Sequence, residues 1–113
     1  MHEFSIAVNI LDTVGKKLAE CNGTKVHKVE IEMGEFSGVV EEALVQALEV
    51  AKENTLAQSA VFQIENIKGK LRCEKCFNEF FANEVYELCP KCNNPFSDII
   101  DGKQLVIKSI EIE

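Results

Sequence analysis

Basic residues are scarce in this chain: 12 Lys+Arg stand against 19 Asp+Glu, a formal charge of −7. A basic face of the kind that releases counterions from nucleic acid would have to be built against that balance, so nucleic acid is not an expected partner. Long apolar runs are missing too. The longest span only a few residues, far short of the ~20 that cross a bilayer. The opening of the chain also lacks a charged leader backed by an apolar stretch. These absences predict a soluble, cytoplasmic protein with no membrane attachment. Histidine occurs only at His2 and His27, and no internal repeat or low-complexity tract stands out. Length is limiting as well, because 113 residues allow one ordinary core and at most one small appendage. Five cysteines are present, an odd number in a compartment that keeps thiols reduced, and this puts metal binding ahead of disulfide pairing.

Charge divides the sequence into three parts. Residues 1–67 carry 5 basic and 11 acidic groups, residues 68–98 carry 5 of each, and residues 99–113 carry 2 and 3. The middle block also holds four of the five cysteines and both prolines, the composition of a small loop-rich module. Ahead of it, Phe4, Ala7, Val8, Leu11, Val14 and Leu18 recur at three- and four-residue spacing, which predicts an amphipathic helix stopped by Asn22-Gly23. Residues 26–33 switch to period two, with Val29, Ile31 and Met33 on one face, which predicts a strand. The stretch GEFSG reads as a loop, and from Glu41 to about residue 54 Leu44, Ala47, Leu48 and Ala51 return to helical spacing. Two more strands are predicted at residues 61–67 and 105–112, the latter with Val106, Ile110 and Ile112 on one face and Lys108 intruding. The expected fold class is α+β: a small mixed or antiparallel three-stranded sheet packed with two helices, plus an inserted four-cysteine zinc-ribbon module. Residues 1–67 together with 99–113 would form the core domain and residues 68–98 the zinc-binding domain.

The strongest chemical signal is Cys73-x-x-Cys76 followed, after twelve residues, by Cys89-x-x-Cys92. That spacing lets two tight turns face each other and present four thiolates at tetrahedral corners. Pro90 fixes a backbone dihedral in the second turn. Zinc suits the set best, with iron in a four-thiolate site as the alternative. Because protein fills all four positions, no place remains for a bound water, and the metal is expected to be structural. Phe77, Phe80, Phe81, Tyr86 and Phe96 make too small a core to fold unaided. Cys21, at the end of the first helix, reads as a buried small hydrophobe rather than a ligand.

The first residues offer a second kind of metal chemistry. A free α-amine, the His2 amide nitrogen and the His2 imidazole form one continuous nitrogen chelate, which suits tetragonal Ni(II) or Cu(II) better than calcium or magnesium. The positive end of the first helix opposes a cation there, but amides that lose their protons shed most of the charge, and the Glu3 carboxylate offsets more. On the residues alone, an idle His2 stays open beside the ligand reading, and His27 reads as a solvated or hydrogen-bonded strand residue.

Taken together, the opening Met1-His2-Glu3-Phe4-Ser5, the loop GEFSGV at residues 34–39, the paired Cys-x-x-Cys motifs and the closing GKQLVIKSIEIE at residues 102–113 resemble the HypA family of nickel-incorporation proteins. The resemblance runs nearly end to end. It departs in two places: a Gly-Thr pair after the second helix is Asn54-Thr55 here, and a proline before the cysteine block is absent at Ile67-Lys68. Both concern turn geometry and leave the metal positions intact. The resemblance implies a nickel metallochaperone, not an enzyme, serving maturation of nickel-iron hydrogenase. It implies a HypB-type nickel GTPase and the hydrogenase large subunit as partners, with urease maturation proteins as a further destination. Residue by residue, it assigns nickel to Met1, His2 and Glu3, and zinc to Cys73, Cys76, Cys89 and Cys92. The rival readings are a zinc-ribbon adaptor or a nucleic-acid-associated ribbon with no nickel role, and an enzyme that pairs Cys21 with His27.

Overall fold

The computed structural model describes residues 2–113. Eight elements follow in order: α1 (Glu3–Glu20), β1 (Val26–Gly34), α2 (Glu41–Ala51), β2 (Val61–Ile67), β3 (Lys70–Cys73), β4 (Glu79–Phe81), β5 (Ser97–Asp101) and β6 (Leu105–Ile112). The strands form two three-stranded sheets, in the orders β2-β1-β6 and β4-β3-β5, so the fold class is α+β. Contacts divide the chain into two compact units. One comprises the segment up to Ile31, Val39–Ile64 and Ile107–Glu113; the other comprises Glu32–Gly38 and Glu65–Val106.

In the first unit α1 packs against α2. Buried positions Glu3, Ala7, Ile10, Val14 and Leu18 follow the 3.6-residue period along α1, and α2 answers with Leu44, Ala47 and Leu48. Val26, Val29 and Ile31 of β1 complete this core, each such side chain adding about 1.5–3 kcal/mol of transfer free energy. The predicted α1 face is corrected here: Phe4 and Val8 are exposed, and Ile10 is buried in their stead. The buried stripe starts at Glu3, a residue itself buried, whose carboxylate accepts the Val40 N–H at 3.2 Å, just ahead of α2. A polar anchor of this kind is invisible to a count of apolar residues.

The end of α1 follows from Asn22. Its φ of 54° lies in the left-handed region, which Asn tolerates because its short side chain bonds locally. The chain then folds back so that Gly23 N–H reaches Leu18 O at 2.9 Å and Asn22 N–H reaches Ala19 O at 3.2 Å, the two bonds of a Schellman end. α2 stops at Ala51, short of the expected residue 54, and the chain continues through turns with Asn54 at φ 62°. Asparagine therefore supplies the left-handed turn residue where the resemblance leads one to expect glycine.

β6 runs antiparallel to β1: Thr24 N–H meets Glu113 O at 2.9 Å and Glu113 N–H meets Lys25 O at 2.8 Å, while the Ser109 hydroxyl donates to Glu30 at 2.7 Å. That last bond turns Ser109 to the side expected to be polar. The β6 alternation accordingly slips, with Val106 exposed and Ser109 and Ile110 both half-buried. The ends of β1 and β2 meet where Glu35 N–H donates to Ile67 O at 2.9 Å. β2 is therefore parallel to β1, and the sheet is mixed.

In the second unit β3 is the central strand, antiparallel to both neighbours, with Leu71 opposite Phe80 and Ile99 and Cys73 opposite Ser97. The buried apolar side chains of Glu65–Val106 are only Leu71, Cys73, Ala82 and Cys89. The 32–38 segment is tied in by Phe36 N–H to Gly102 O and Gly34 N–H to Gln104 O, both at 2.7 Å. Gly102 sits at φ +94°, and a Cβ on Gly34 would stand 1.9 Å from the Gly102 carbonyl oxygen. Backbone cannot yield as a side chain can, so Gly34→Ala is expected to cost about 3 kcal/mol. Gly15, inside α1 with nothing within 4 Å of its Cβ position, should instead gain about 0.5–1 kcal/mol as Gly15→Ala. Denaturant unfolding of the two variants checks the opposite signs.

Candidate metal centre

Each Cys-x-x-Cys turn begins where a strand or loop ends and folds the same way. Cys73 N–H donates to Asn78 O at 2.9 Å and Phe77 N–H to Cys73 O at 3.0 Å. Cys89 N–H donates to Asn94 O at 3.0 Å and Asn93 N–H to Cys89 O at 2.8 Å. The residue after the second cysteine is left-handed in both turns, Phe77 at φ 62° and Asn93 at φ 61°. Aligned on this geometry, the turns read Cys-Glu-Lys-Cys-Phe-Asn and Cys-Pro-Lys-Cys-Asn-Asn, a Cys-x-Lys-Cys-x-Asn repeat. This corrects the expectation that the chain holds no internal repeat.

The four sulfurs converge. Cys73 Sγ lies 3.5 Å from Cys92 Sγ, Cys76 Sγ lies 3.6 Å from Cys89 Sγ, and all four sit within 4.8 Å of one another. Metal–sulfur bonds of about 2.3 Å at tetrahedral angles place sulfurs about 3.8 Å apart, so the set fits a four-coordinate ion. All five cysteines are free thiols. Backbone N–H groups aim at the deeper pair: Lys75 and Cys76 at Cys73 Sγ, at 3.4 and 3.5 Å, and Lys91 at Cys89 Sγ, at 3.4 Å. Cys73 and Cys89 are buried, whereas Cys76 and Cys92 are exposed.

The thiols compete for charge. The Cys76 N–H outweighs burial and, with the Lys75 N–H, the Asn94 amide and Cys92, draws the Cys73 thiol down to about 6. Cys89 is also lowered: burial resists, but the Cys92 and Lys91 N–H groups prevail. At Cys92 the Asn94 N–H pulls down, yet burial and the hydrogen bonds with Cys73, Cys76 and Cys89 push the thiol up to about 11. So close a set ionises stepwise, the later protons being held by the earlier charges. A divalent cation resolves the conflict by halving the formal charge of four thiolates.

At the start of the chain, Met1 lies outside the described residues. His2 is exposed and occupies the N-cap of α1, with no side-chain capping bond. Its carbonyl accepts the first helical hydrogen bond, from Ile6 N–H at 2.9 Å. Glu3 turns its carboxylate to Val40 N–H. Two further expectations resolve plainly. Cys21 is exposed at the α1 C-cap, a correction to its reading as a buried hydrophobe. His27 Nε2 is engaged with the Glu113 carboxylate at 2.6 Å, a hydrogen-bonded strand histidine. The residues that sequence reasoning missed are Asn78 and Asn94, whose amides reach Cys89 Sγ at 3.9 Å and Cys73 Sγ at 3.7 Å. The hexapeptide repeat was their available signal.

The fold and centre together define a class: a small α+β metal-binding protein with a four-cysteine seat. Residues 1–112 match the family model described as hydrogenase/urease nickel incorporation, metallochaperone HypA. The chain belongs to the HypA family. It is 36% identical over 113 residues to the hydrogenase maturation factor HypA of Aquifex aeolicus, covering 100% of this chain and 98% of that one. It is 32% identical to the HypA of Dehalococcoides mccartyi strain CBDB1, covering 100% and 95%. Its fold is similar to the solution structure of the Ni metallochaperone HypA from Helicobacter pylori, with a TM-score of 0.71, 26% identity and coverage of 99% and 97%.

Phe77 carries a bulky side chain in a left-handed conformation while 70% exposed. Phe77→Asn copies the equivalent Asn93 and loses little packing. It is expected to raise the thermal midpoint of the second unit, by a gain on the order of 1 kcal/mol, read by denaturation of both forms with metal saturated.

Proposed function

We propose that this chain is a cytoplasmic nickel metallochaperone for nickel-iron hydrogenase maturation. In this reading Ni(II) is cargo held through Met1, His2 and Glu3, and Zn(II) sits at Cys73, Cys76, Cys89 and Cys92 as a structural brace. No catalytic step is assigned to either metal. Residues 1–67 with 99–113 act as the nickel-binding core domain and residues 68–98 as the zinc-binding domain. A HypB-type nickel GTPase and the hydrogenase large subunit are the proposed partners, with urease maturation proteins as a further destination.

The observation that carries the reading is the position of His2. Its imidazole is exposed and uncommitted to capping, and its amide precedes the first helical hydrogen bond. A helix start leaves such N–H groups without carbonyl partners, so the His2 amide can give up its proton to a metal without breaking the helix. Membership of a family described by nickel incorporation supports Ni(II) over other tetragonal ions. The Glu3 carboxylate, anchored on Val40, fixes the first turn and keeps a negative charge beside the cation.

His2→Ala is expected to abolish nickel binding while leaving one zinc per chain. Retained wild-type nickel affinity in calorimetric titration would refute the assignment. An uncleaved N-terminal extension converts the amine to an amide and should weaken nickel binding in the same way. Because amine, amide and imidazole bind nickel only as protons leave, affinity should fall steadily with falling pH.

Zinc accounts for a unit whose buried core is so small. Structural zinc contributes about 10–16 kcal/mol in finger-sized peptides. Stripping the metal with a chelator, or Cys76→Ser, should therefore melt residues 68–98 while α1 and α2 keep their amide protection. Hydrogen exchange reads both regions at once, and persistent protection of 70–73 without metal would contradict the brace.

A further inference from the structure

We infer that Asn78 and Asn94 are a crossed pair of positioning residues that lock the two cysteine turns together, each holding the buried sulfur of the opposite turn. This rests on the reading of the four cysteines as a metal seat and goes beyond it by assigning two residues outside the ligand set.

The two asparagines do the same two things. Each main-chain carbonyl closes its own turn, Asn78 O on Cys73 N–H and Asn94 O on Cys89 N–H. Each side-chain amide then crosses over. Asn78 Nδ2 donates to Cys89 Sγ at 3.9 Å, and Asn94 Nδ2 donates to Cys73 Sγ at 3.7 Å. The targets are the two buried sulfurs, the pair that water serves least. A carboxamide suits this position because it offers N–H donors without carrying charge, whereas an aspartate of the same shape would set a second anion against a thiolate. Asn94 also donates to Phe96 O at 3.0 Å, tying its crossing amide to the segment that leads into β5. Donors to metal-bound sulfur disperse its charge and fix its orientation. A crossed arrangement adds mutual dependence, since displacing either turn takes a donor from the other.

The test uses the full chain loaded with zinc, and with Co(II) as a spectroscopic probe, and compares N78A, N94A and the double variant with the parent. N83A removes an exposed carboxamide of the same unit, away from both cysteine turns, and serves as control. Metal content is measured first, then the rate of transfer to an excess of a colorimetric chelator, then the energy of the thiolate-to-cobalt charge-transfer band. The expected result is zinc loss about tenfold faster in each single variant, within the 10–100-fold range that outer partners of metal ligands command. The charge-transfer band should move to lower energy as sulfur loses a donor, and N83A should match the parent in band energy. The Asn78 amide makes no second hydrogen bond among the described residues, so N78A carries the test alone should N94A fail to fold. A parent that holds one zinc per chain, with N78A matching it in release rate and band energy, overturns the crossed pair and leaves the metal seat standing. A parent that holds no metal at the cysteines overturns both.

Discussion

Four sulfurs within 4.8 Å of one another are the constraint on which the second unit depends. Four neutral thiols so placed have little to hold them together, and four thiolates repel. A shared cation makes the arrangement favourable, and the surrounding chain is organised for the anionic state: N–H groups of Lys75, Cys76 and Lys91 point at the deep sulfurs. The cysteines are also half of the buried apolar positions in Glu65–Val106, Cys73 and Cys89 standing beside Leu71 and Ala82. The seat is thus inseparable from the core. A three-strand sheet with one fully buried aliphatic side chain at its centre is the kind of core that the proposed metal brace would staple.

The α/β unit is stable on different terms. Val14, Leu18, Val26, Val29, Ile31, Leu44 and Leu48 are buried nearly completely, an ordinary apolar core that needs no ion. What is unusual there is Glu3, a buried carboxylate in the first helical turn, held by the Val40 N–H. On the same helix Phe4 and Val8 face solvent. Glu3 directly follows His2, so this buried anchor lies one residue from the exposed imidazole.

Much of this was legible in the sequence. Period-two and period-3.6 patterns located β1, β2, β6 and both helices, because those elements bury one face and expose the other. The Cys-x-x-Cys spacing located the metal seat, because turn geometry fixes where two sulfurs two residues apart can point. The α1 face was misread because Glu3 is a charge acting as a core residue, and burial scales rank it last. Cys21 was misread because composition favours burial of cysteine, whereas the C-cap of α1 faces solvent. The β6 pattern slipped at Ser109, whose partner Glu30 lies 79 residues away in the chain. The strands β3, β4 and β5 are three to five residues long, too short for any period to emerge. The Cys-x-Lys-Cys-x-Asn repeat was present but hidden by Phe77, which stands where Asn93 stands in the second turn and breaks the likeness by eye while keeping the same backbone.

The proposed pairing of zinc and nickel in one small chain raises a question of sorting, since a site that binds one first-row divalent ion binds others in the Irving–Williams order. Affinity alone does not keep them apart. Geometry and ligand softness do. Four thiolates held at tetrahedral spacing by paired turns favour an ion with no stereochemical preference and resist the tetragonal arrangement that nickel takes with amine, amide and imidazole nitrogens. The turns are rigid for this purpose: Pro90 in one, left-handed residues closing both, and N–H groups already committed to sulfur. The proposed nickel chelate is the reverse, assembled from the leading residues of the chain, where His2 is exposed. In the proposed arrangement the two seats can share one chain, because the tetrahedral thiolate set disfavours nickel by shape, while zinc, which has no stereochemical preference, gains less than nickel from the tetragonal nitrogen set and is held better by the soft thiolates.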